Sequence, residues 1–285
     1  MPGKKQKQAI KIPVLIKLSI RVLEILSVNL AAKFAMKLFR TPIRFKLPKR
    51  EEEMNRVSTQ EYVFIPAINK KIRVYILGES KNKVLLVHGW SGRGTQLYSI
   101  AQKLIKQGYS TISFDAPAHG KSTGKTSDMT EFIASVLELE KKYGPFQYAV
   151  GHSLGGMAIL NAVKGGLRLK KAVTIGSGDI IKDIMDDFAE KLGMKIATCK
   201  AMVKQFEKEF NTTINSYSAY IAAREVNIPL LVIHDENDTD VPVKAAYHIK
   251  DNLPKGELMI TQKLGHRKIL GDKNVIKRII EFLEE

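Results

Sequence analysis

The chain has 285 residues, of which 44% are hydrophobic, and a formal net charge of +17. This length allows one large core, so we expect a single catalytic domain with an appendage. The lone cysteine, Cys199, excludes an internal disulfide and fits a reducing compartment; we expect it to be a buried structural thiol. There is no CxxC or HExxH motif, and the six histidines are not paired at ligand spacing, so we expect no metal. No GxGxxG motif follows the first strand, so we expect no cofactor.

The positive charge is concentrated at the N-terminus. Residues 1–50 contain 13 Lys or Arg and one acid, Glu24, whereas the other 235 residues carry 33 bases and 28 acids. The N-terminal balance is therefore +12 and the remainder is +5. The N-terminal bases alternate with aliphatic rather than aromatic residues, which does not favour nucleic-acid binding.

Residues 14–39 contain no Pro or Gly and are rich in Leu, Ile and Ala, which predicts one long helix. Lys17, Arg21 and Glu24 follow one another at helical spacing, so we expect one polar face and a wide apolar side. The longest run without a charge is eight residues. A bilayer-crossing helix needs roughly 20, so this segment does not predict a membrane span.

Three interpretations of this helix stay open. It packs on the body of the protein or on a second subunit, or it lies in a membrane interface with its cations near anionic headgroups. A signal peptide is the third, although Lys17 and Arg21 would interrupt its hydrophobic region. We expect a cytoplasmic protein, with peripheral contact at the inner membrane surface or self-association through residues 14–39 as alternatives.

Residues 1–60 are interpreted as this basic amphipathic helix and a linker, the linker including the polar stretch 48–60, and residues 61–285 as one α/β domain. Runs 61–66 and 71–77 predict a leading hairpin. Beyond them, short apolar runs typical of buried strands alternate with segments of helical periodicity. The alternation predicts a mostly parallel, doubly wound sheet with helices on both faces. The predicted strands are 84–88, 111–115, 148–151, 172–176, 230–234 and 257–261, and the predicted helices are 95–107, 128–143, 155–165, 244–252 and 273–284.

Residues 177–226 are too many for a simple crossover between two strands. They predict two or three helices that form a small helical cap. Six large apolar residues in this segment either give the cap an adaptable underside or join it to the body. These residues are Met185, Phe188, Met194, Met202, Phe206 and Phe210.

The strongest chemical signal is GHSLGG at 151–156, which lies between an apolar strand and a helical stretch. It satisfies the pattern G-x-S-x-G in its required strand-to-helix setting. Ser153 must occupy a tight, strained turn, and Gly151 and Gly155 leave room for it. The following helix directs its N–H groups towards developing negative charge. This pattern predicts a nucleophilic serine.

A serine nucleophile needs a base, and the base needs an acid to orient it. The stretch 231–242 ends an apolar strand in a loop of acids, where Asp235, Asp238 and Asp240 are all candidates. His266 is the one histidine that follows the last predicted strand. The order serine, acid, histidine is that of α/β-hydrolases.

Over residues 61–285 the chain resembles the α/β-hydrolase family. The motifs that carry the resemblance are HGW at 88–90, FDAPAHGKS at 114–122, GHSLGG at 151–156, HDENDTDVP at 234–242 and LGH at 264–266.

The resemblance implies a catalytic triad of Ser153, Asp238 and His266. It also implies an oxyanion hole made by the backbone N–H groups of Trp90 and Leu154. The Trp90 ring either lines the substrate pocket or is a packed loop aromatic.

The resemblance implies three further roles that are structural. We expect His88 to brace the loop that carries Trp90 by hydrogen bonding. We expect Asp115, His119 and Ser122 to hold backbone turns together.

These residues predict a serine hydrolase that cleaves carboxylic esters of a small-molecule acyl substrate through an acyl-enzyme. Thioesterase, lipase or acyltransferase activity would use the same triad. A non-catalytic membrane-surface scaffold of the same fold is the other hypothesis.

Overall fold

A computed structural model describes residues 12–285. Its centre is one sheet of eight strands. The strands are β1 Thr59–Ile65, β2 Lys70–Leu77, β3 Lys83–Val87, β4 Ser110–Asp115, β5 Tyr148–His152, β6 Lys171–Ile175, β7 Leu230–Asp235 and β8 Gly256–Thr261.

The strand order is β1-β2-β4-β3-β5-β6-β7-β8. Strands β1 and β2 form the expected antiparallel hairpin, and β2 is also antiparallel to β4. All other neighbours are parallel. The prediction of a mostly parallel α/β sheet is confirmed.

Helices cover both faces of the sheet. They are α1 Val14–Leu26, α2 Val28–Phe39, α3 Lys49–Val57, α4 Tyr98–Lys106, α5 Met129–Tyr143, α6 Leu154–Lys164, α7 Ile181–Leu192, α8 Ile196–Phe210, α9 Ala219–Ala223, α10 Lys244–Asp251, α11 Gly265–Lys268 and α12 Lys273–Glu284. Helices α5, α6 and α10 pack into one buried apolar cluster, and α4 and α12 pack into a second. The sheet is therefore doubly wound.

The N-terminal segment differs from the prediction, because residues 14–39 form two helices instead of one. Ser27 breaks the helix: its backbone is extended, with φ −166° and ψ 126°. Its N–H donates to the Leu23 carbonyl, 2.7 Å away, and its hydroxyl accepts the Leu30 N–H at 3.4 Å. Ser27 thus ends α1 with an extended backbone and caps α2 with its hydroxyl, without Gly or Pro.

The predicted polar face of α1 is also wrong. Ile20 and Glu24 are the buried residues of this helix, and Arg21 is exposed. The Glu24 carboxylate accepts hydrogen bonds from the Lys195 N–H at 2.7 Å and the Thr198 hydroxyl at 2.6 Å. Glu24 therefore holds α1 against the start of α8, and much of the apolar side faces outward.

A third difference lies in the polar stretch 48–60, where a linker was expected and the structure has helix α3. Met54 on this helix is fully buried. Glu51, in the first turn, accepts a 2.8 Å hydrogen bond from the Thr95 hydroxyl. A carboxylate at this position also interacts favourably with the helix dipole. One buried methionine and one satisfied carboxylate hold this otherwise polar helix in place.

Helices α7, α8 and α9 occupy the long connection between β6 and β7, which was interpreted as the cap. Met185, Met202 and Phe206 are buried in the same apolar cluster as the body, which favours a joining role for them. Helix α2 packs along α8. Arg40 bridges Asp128 of the body and Glu209 of α8, at 2.6 and 2.5 Å.

Among residues 12–285, no helix has both the length and the apolar character that a transmembrane span requires.

We predict that Glu24→Ala lowers the free energy of unfolding by about 1–3 kcal/mol, because it leaves two donors of α8 without an acceptor. Urea unfolding at neutral pH measures this change. Glu52→Ala, at an exposed position of α3, is the matched control and should change stability by less than about 0.5 kcal/mol. Equal effects of the two substitutions would contradict the anchoring role of Glu24.

Candidate active site

The turn from β5 into α6 is strained at Ser153. This residue has φ 53° and ψ −120°, a conformation that L-residues rarely adopt, and α6 begins at the next residue, Leu154. Such strain costs on the order of 1–3 kcal/mol and persists only when the surroundings impose it. The geometry is that of a nucleophile elbow.

Close backbone packing imposes the strain and requires glycine on both sides. A Cβ on Gly151 would lie 2.5 Å from the Gly155 carbonyl oxygen, and a Cβ on Gly155 would overlap the Val87 carbonyl oxygen. The loop after β3 is equally close, since a Cβ on Gly89 would lie 2.8 Å from Cβ of Ser153. Two glycines of the predicted motif, and one outside it, thus allow the turn to form.

Asp238 and His266 form a hydrogen-bonded pair, with 2.7 Å between Nδ1 of His266 and Oδ2 of Asp238. A carboxylate accepts, so the imidazole donates from Nδ1 and its Nε2 carries the free lone pair. The pair is largely buried, since the two side chains are 10% and 1% exposed. This is the tautomer that a general base for a serine requires.

Asp238 is held as an anion by several donors. Its Oδ1 accepts the Asp240 and Val241 N–H groups at 2.8 and 2.9 Å, and Nε2 of His234 lies 3.4 Å from Oδ2. Burial alone would raise the pKa of Asp238. The hydrogen bonds from His234 and His266 outweigh burial and hold that pKa well below its usual range.

The other two candidate acids have different surroundings. Asp235 accepts the Leu264 and Gly265 N–H groups at 3.1 and 2.9 Å, and so positions the backbone just before His266. Burial would raise the pKa of Asp235, but these bonds hold it below its usual value. The part of Asp240 that contacts the pair is its backbone N–H. Of the three acids, Asp238 is the one whose carboxylate binds His266.

The nucleophile and the pair share one wall of the site. The Ser153 N–H donates to the Ile175 carbonyl at 2.9 Å. Gly176, which follows Ile175, has φ 56°, and a Cβ there would lie 3.3 Å from Nδ1 of His266. The His152 and His266 rings are 4.6 Å apart. Within the described residues, no hydrogen bond joins the Ser153 hydroxyl to His266, and such bonds are often loose before substrate binds.

His152 and His234 contribute to the site in ways the sequence did not reveal. Nε2 of His152 donates to the His266 carbonyl at 2.8 Å, and Nε2 of His234 donates to the Val241 carbonyl at 3.0 Å. Burial, together with the nearby His266, lowers the pKa of His152 to about 3. Both rings therefore brace the loops that carry the pair. In the sequence, only the position of His152 beside Ser153 and of His234 at the start of HDENDTDVP could have indicated this role.

The two backbone groups expected to form an oxyanion hole lie at the start of α6 and after β3. Neither the Leu154 N–H nor the Trp90 N–H has a hydrogen-bond acceptor within residues 12–285. The N–H groups in the first turn of a helix have no intrahelical partner, so they are free for a ligand. The loop containing Trp90 reaches Ser153 through the close approach of Gly89.

The loop of Trp90 is supported by buried histidines. Nδ1 of His88 donates to the Gly89 carbonyl at 2.7 Å, while Nε2 accepts the Ala116 N–H at 2.9 Å. The Trp90 ring is half-buried, and its edge contacts the ring of His119 at a centroid distance of 5.0 Å. His88 therefore braces the loop, as expected.

Asp115 and Ser122 tie turns together, as expected. The Asp115 carboxylate accepts the Gly94 and Lys121 N–H groups, both at 2.7 Å. The Ser122 hydroxyl donates to the Asp115 carbonyl at 2.5 Å and accepts the Arg73 N–H at 2.8 Å. These bonds connect the loops after β3 and β4 to each other and to strand β2.

Two other features lie outside this site. Cys199 is only partly buried, contrary to expectation, and its thiol contacts Asp186 at 3.2 Å. An open cavity of about 520 Å³ lies between α2 and α8 and has no lining residue in common with the Ser153 site. Among the described residues, no group of three or more His, Cys, Asp or Glu side chains is arranged to hold a metal ion.

A strained serine at the carboxyl end of a central parallel strand, near an Asp–His pair on the loops after β7 and β8, defines the class of α/β proteins with a nucleophile elbow. The family comparison agrees: residues 84–267 match the model of the alpha/beta hydrolase family. The chain belongs to the alpha/beta hydrolase family.

Solved structures of esterases share this fold. An esterase from Pyrococcus furiosus has a TM-score of 0.66 and 21% identity, over 86% of this chain and 98% of that one. An esterase from Exiguobacterium antarcticum has a TM-score of 0.64 and 16% identity, over 80% of this chain and 100% of that one. Est1E from Butyrivibrio proteoclasticus, with ferulic acid bound, has a TM-score of 0.63 and 17% identity, over 79% of this chain and 100% of that one. At these identities the likeness is one of fold. A comparison with curated protein sequences found no match.

We predict that His119→Asn makes the free energy of unfolding less sensitive to acid. Burial lowers the pKa of His119 from 6.5 to about 4. Between these pH values the histidine is protonated in the unfolded chain and neutral in the folded protein. Folding stability from this residue is complete above the unfolded pKa and falls as the pH drops from about 6.5 towards 4.

Urea unfolding over this range should show a slope shallower by up to about 1.4 kcal/mol per pH unit in His119→Asn. Above about pH 6.5, His119 is neutral in both the folded and the unfolded state. The pH dependence of the unfolding free energy should therefore be the same for His119→Asn and the unaltered protein in that range. Parallel curves at acid pH would show that His119 does not contribute to acid sensitivity.

Proposed function

We propose that the protein is a serine hydrolase that cleaves carboxylic esters of small-molecule acyl substrates through an acyl-enzyme intermediate. The observation that carries the proposal is the strained Ser153 at the elbow, with a hydrogen-bonded Asp238–His266 pair across the wall formed by Gly176. Family membership supports a hydrolase, and the esterase neighbours support an ester substrate.

In the first step, the Ser153 hydroxyl oxygen attacks the ester carbonyl carbon while Nε2 of His266 takes the hydroxyl proton. The imidazolium that forms is stabilised by Asp238, whose lowered pKa keeps it ionised at neutral pH. His266 then donates the proton to the leaving alkoxide, and the acyl group stays on Ser153. In the second step water attacks the acyl-enzyme by the same route and releases the acid.

The oxyanion of each tetrahedral intermediate is assigned to the N–H groups of Trp90 and Leu154. Both groups lack an acceptor among residues 12–285, and the Leu154 group also carries the positive end of the α6 dipole. One such preorganised donor is worth about 3 kcal/mol of activation free energy. We also assign the half-buried Trp90 ring to the wall of the acyl pocket.

The same machinery would serve a thioesterase, lipase or acyltransferase, and the fold does not choose among them. Est1E holds the aromatic acid ferulic acid in its structure. A carboxylic ester is therefore the first substrate class to test. We infer a cytoplasmic site of action from the single free cysteine, with contact at the inner membrane surface through residues 14–39.

The second candidate function is a non-catalytic membrane-surface scaffold. The row of exposed apolar residues on α1 favours it, because a surface of this kind indicates a binding partner. A scaffold does not need a serine in a strained turn beside a free N–H group. Labelling with a fluorophosphonate separates the two: the hydrolase forms an adduct on Ser153, and the scaffold forms none.

We predict that Ser153→Ala lowers kcat for short p-nitrophenyl esters by about 10³-fold or more and abolishes fluorophosphonate labelling, because no other group can form the acyl-enzyme. Ser99→Ala, on the exposed side of α4, is the matched control and should retain both activities. Unchanged hydrolysis by Ser153→Ala in a purified preparation would rule out the proposed nucleophile.

We predict that Asp238→Asn lowers kcat by about 10³-fold or more, because an amide no longer fixes the Nδ1–H tautomer of His266. Asp240→Asn should stay within about threefold of the unaltered protein, because its contact with the pair is through the backbone. Steady-state kinetics and melting temperatures are compared for both, and for Asp235→Asn. A larger kinetic loss in Asp235→Asn at an unchanged melting temperature would move the acid role to Asp235.

A further inference from the structure

One side of α1 presents six large apolar residues to the exterior. Each is between 50% and 81% exposed. Successive residues of a helix are rotated by about 100°, so these six occupy an arc of about 120°. We call this surface the α1 face; its residues are Val14, Leu15, Leu18, Val22, Ile25 and Leu26.

The α1 face continues onto the cap. Glu24 binds the Lys195 N–H, and the next residue of the cap, Ile196, is 76% exposed. Ile25, beside Glu24 in the chain, is 80% exposed. The hydrogen bond at Glu24 therefore ties α1 to the residue just before Ile196, so two exposed apolar side chains flank this junction.

The exposed charges on α1 and α2 themselves have one sign. Glu24 is the only acid among residues 1–50, and its carboxylate is buried against α8. Arg21 is exposed at the edge of the arc, Lys17 is half-buried next to it, and Lys33 and Lys37 are exposed on α2. In sequence, residues 1–50 hold 13 Lys or Arg and no acid besides Glu24.

We propose that the α1 face, together with Ile196, docks onto an anionic lipid bilayer, and that the acyl substrate is a lipid ester held in that bilayer. The assignment of the substrate rests on the hydrolase function proposed above; the docking does not. A helix with a narrow apolar arc edged by Lys and Arg lies in the interface of a bilayer, with its apolar side in the acyl region and its cations at the headgroups.

The charge favours a bilayer over a second copy of the chain. In a symmetric dimer each patch meets the same patch of the partner. The cations that edge the α1 face would then approach one another, whereas anionic headgroups would neutralise them. No helix within residues 12–285 can span the membrane, so contact would be limited to the interface.

The N-terminal segment also connects the α1 face to the active site. After α2 the chain runs over the loop of Trp90, where the Ile43 N–H donates to the Ser91 hydroxyl at 3.0 Å and Arg93 donates to the Phe45 carbonyl at 2.6 Å. The side chains of Ile43 and Phe45 are themselves about half exposed. Exposed apolar groups therefore occur at both ends of this segment, and an ester in a bilayer would meet an apolar surface near Trp90.

The docking is tested by flotation of the full chain with vesicles of phosphatidylcholine, with and without phosphatidylglycerol. The chain should float with the anionic vesicles only. Leu18→Glu with Ile25→Glu should weaken this binding by about tenfold or more, because it replaces two apolar contacts and adds negative charge. Val57→Glu with Phe64→Glu, at two exposed apolar positions outside the α1 face, is the matched control and should still float.

Flotation of the Leu18→Glu, Ile25→Glu variant at the level of the control, or equal flotation with uncharged vesicles, would overturn the docking proposal. A failure of the unaltered chain to float would also overturn it. In that case, if sedimentation shows a dimer that the Leu18→Glu, Ile25→Glu variant dissociates, the α1 face is assigned to a second copy of the chain. Both double variants should keep the melting temperature of the unaltered chain, since all four side chains are exposed.

The substrate is tested with two p-nitrophenyl esters, a soluble short-chain ester and a long-chain ester incorporated into the anionic vesicles. The α1-face variant should lose about tenfold in rate on the vesicle ester and keep its rate on the soluble ester. Equal rates of variant and control on the vesicle ester would overturn the lipid substrate. Hydrolysis of neither ester by a chain that floats would instead refute the hydrolase function and leave the docking intact.

Discussion

The packing of the Ser153 turn against the end of β3 is the constraint on which the rest of the site depends. Val87 of β3 is paired with Gly151 of β5, so the two strands end side by side. The backbone oxygen of Val87 lies where a side chain on Gly155 would be, so only glycine fits at this position. The same register brings the loop of Trp90 next to Ser153. Strain at the nucleophile and the approach of a second N–H group therefore have a single cause.

The acid and the base depend on the neighbouring strands in the same way. Asp235, the last residue of β7, pairs with Thr261, the last residue of β8, so the loops after the two strands begin together. The Asp235 carboxylate then binds the backbone of the second loop just before His266, and Asp238, three residues further on, binds its ring. One acid positions the loop and the other orients the imidazole. Several acids in one loop of a sequence can therefore have different roles, one in positioning a loop and another in orienting the imidazole.

Most of the fold could be predicted from sequence, because strands buried on both faces are short apolar runs and amphipathic helices have a periodicity of about 3.6 residues. The nucleophile turn was equally accessible, since its steric demand for glycine is local. The break at Ser27 could not be predicted, because it occurs at a serine with an extended backbone and no Gly or Pro marks it. Helix α3 was missed because Met54 is its only fully buried apolar residue. The bracing by His152 depends on a contact with a residue more than a hundred positions away, which a single sequence does not encode locally.

The orientation of α1 shows how one buried carboxylate can decide which side of a helix faces the protein. Apolar residues cover most of α1, so hydrophobic burial alone would not choose a single side. Glu24 does, because its carboxylate finds two donors at the start of α8, where the helix dipole also favours an anion. A buried carboxylate without such partners would be costly, so rotating α1 by half a turn is disfavoured. The protein consequently keeps the only acid of residues 1–50 inside and presents apolar and basic residues outside, which is the surface that we propose docks onto an anionic bilayer.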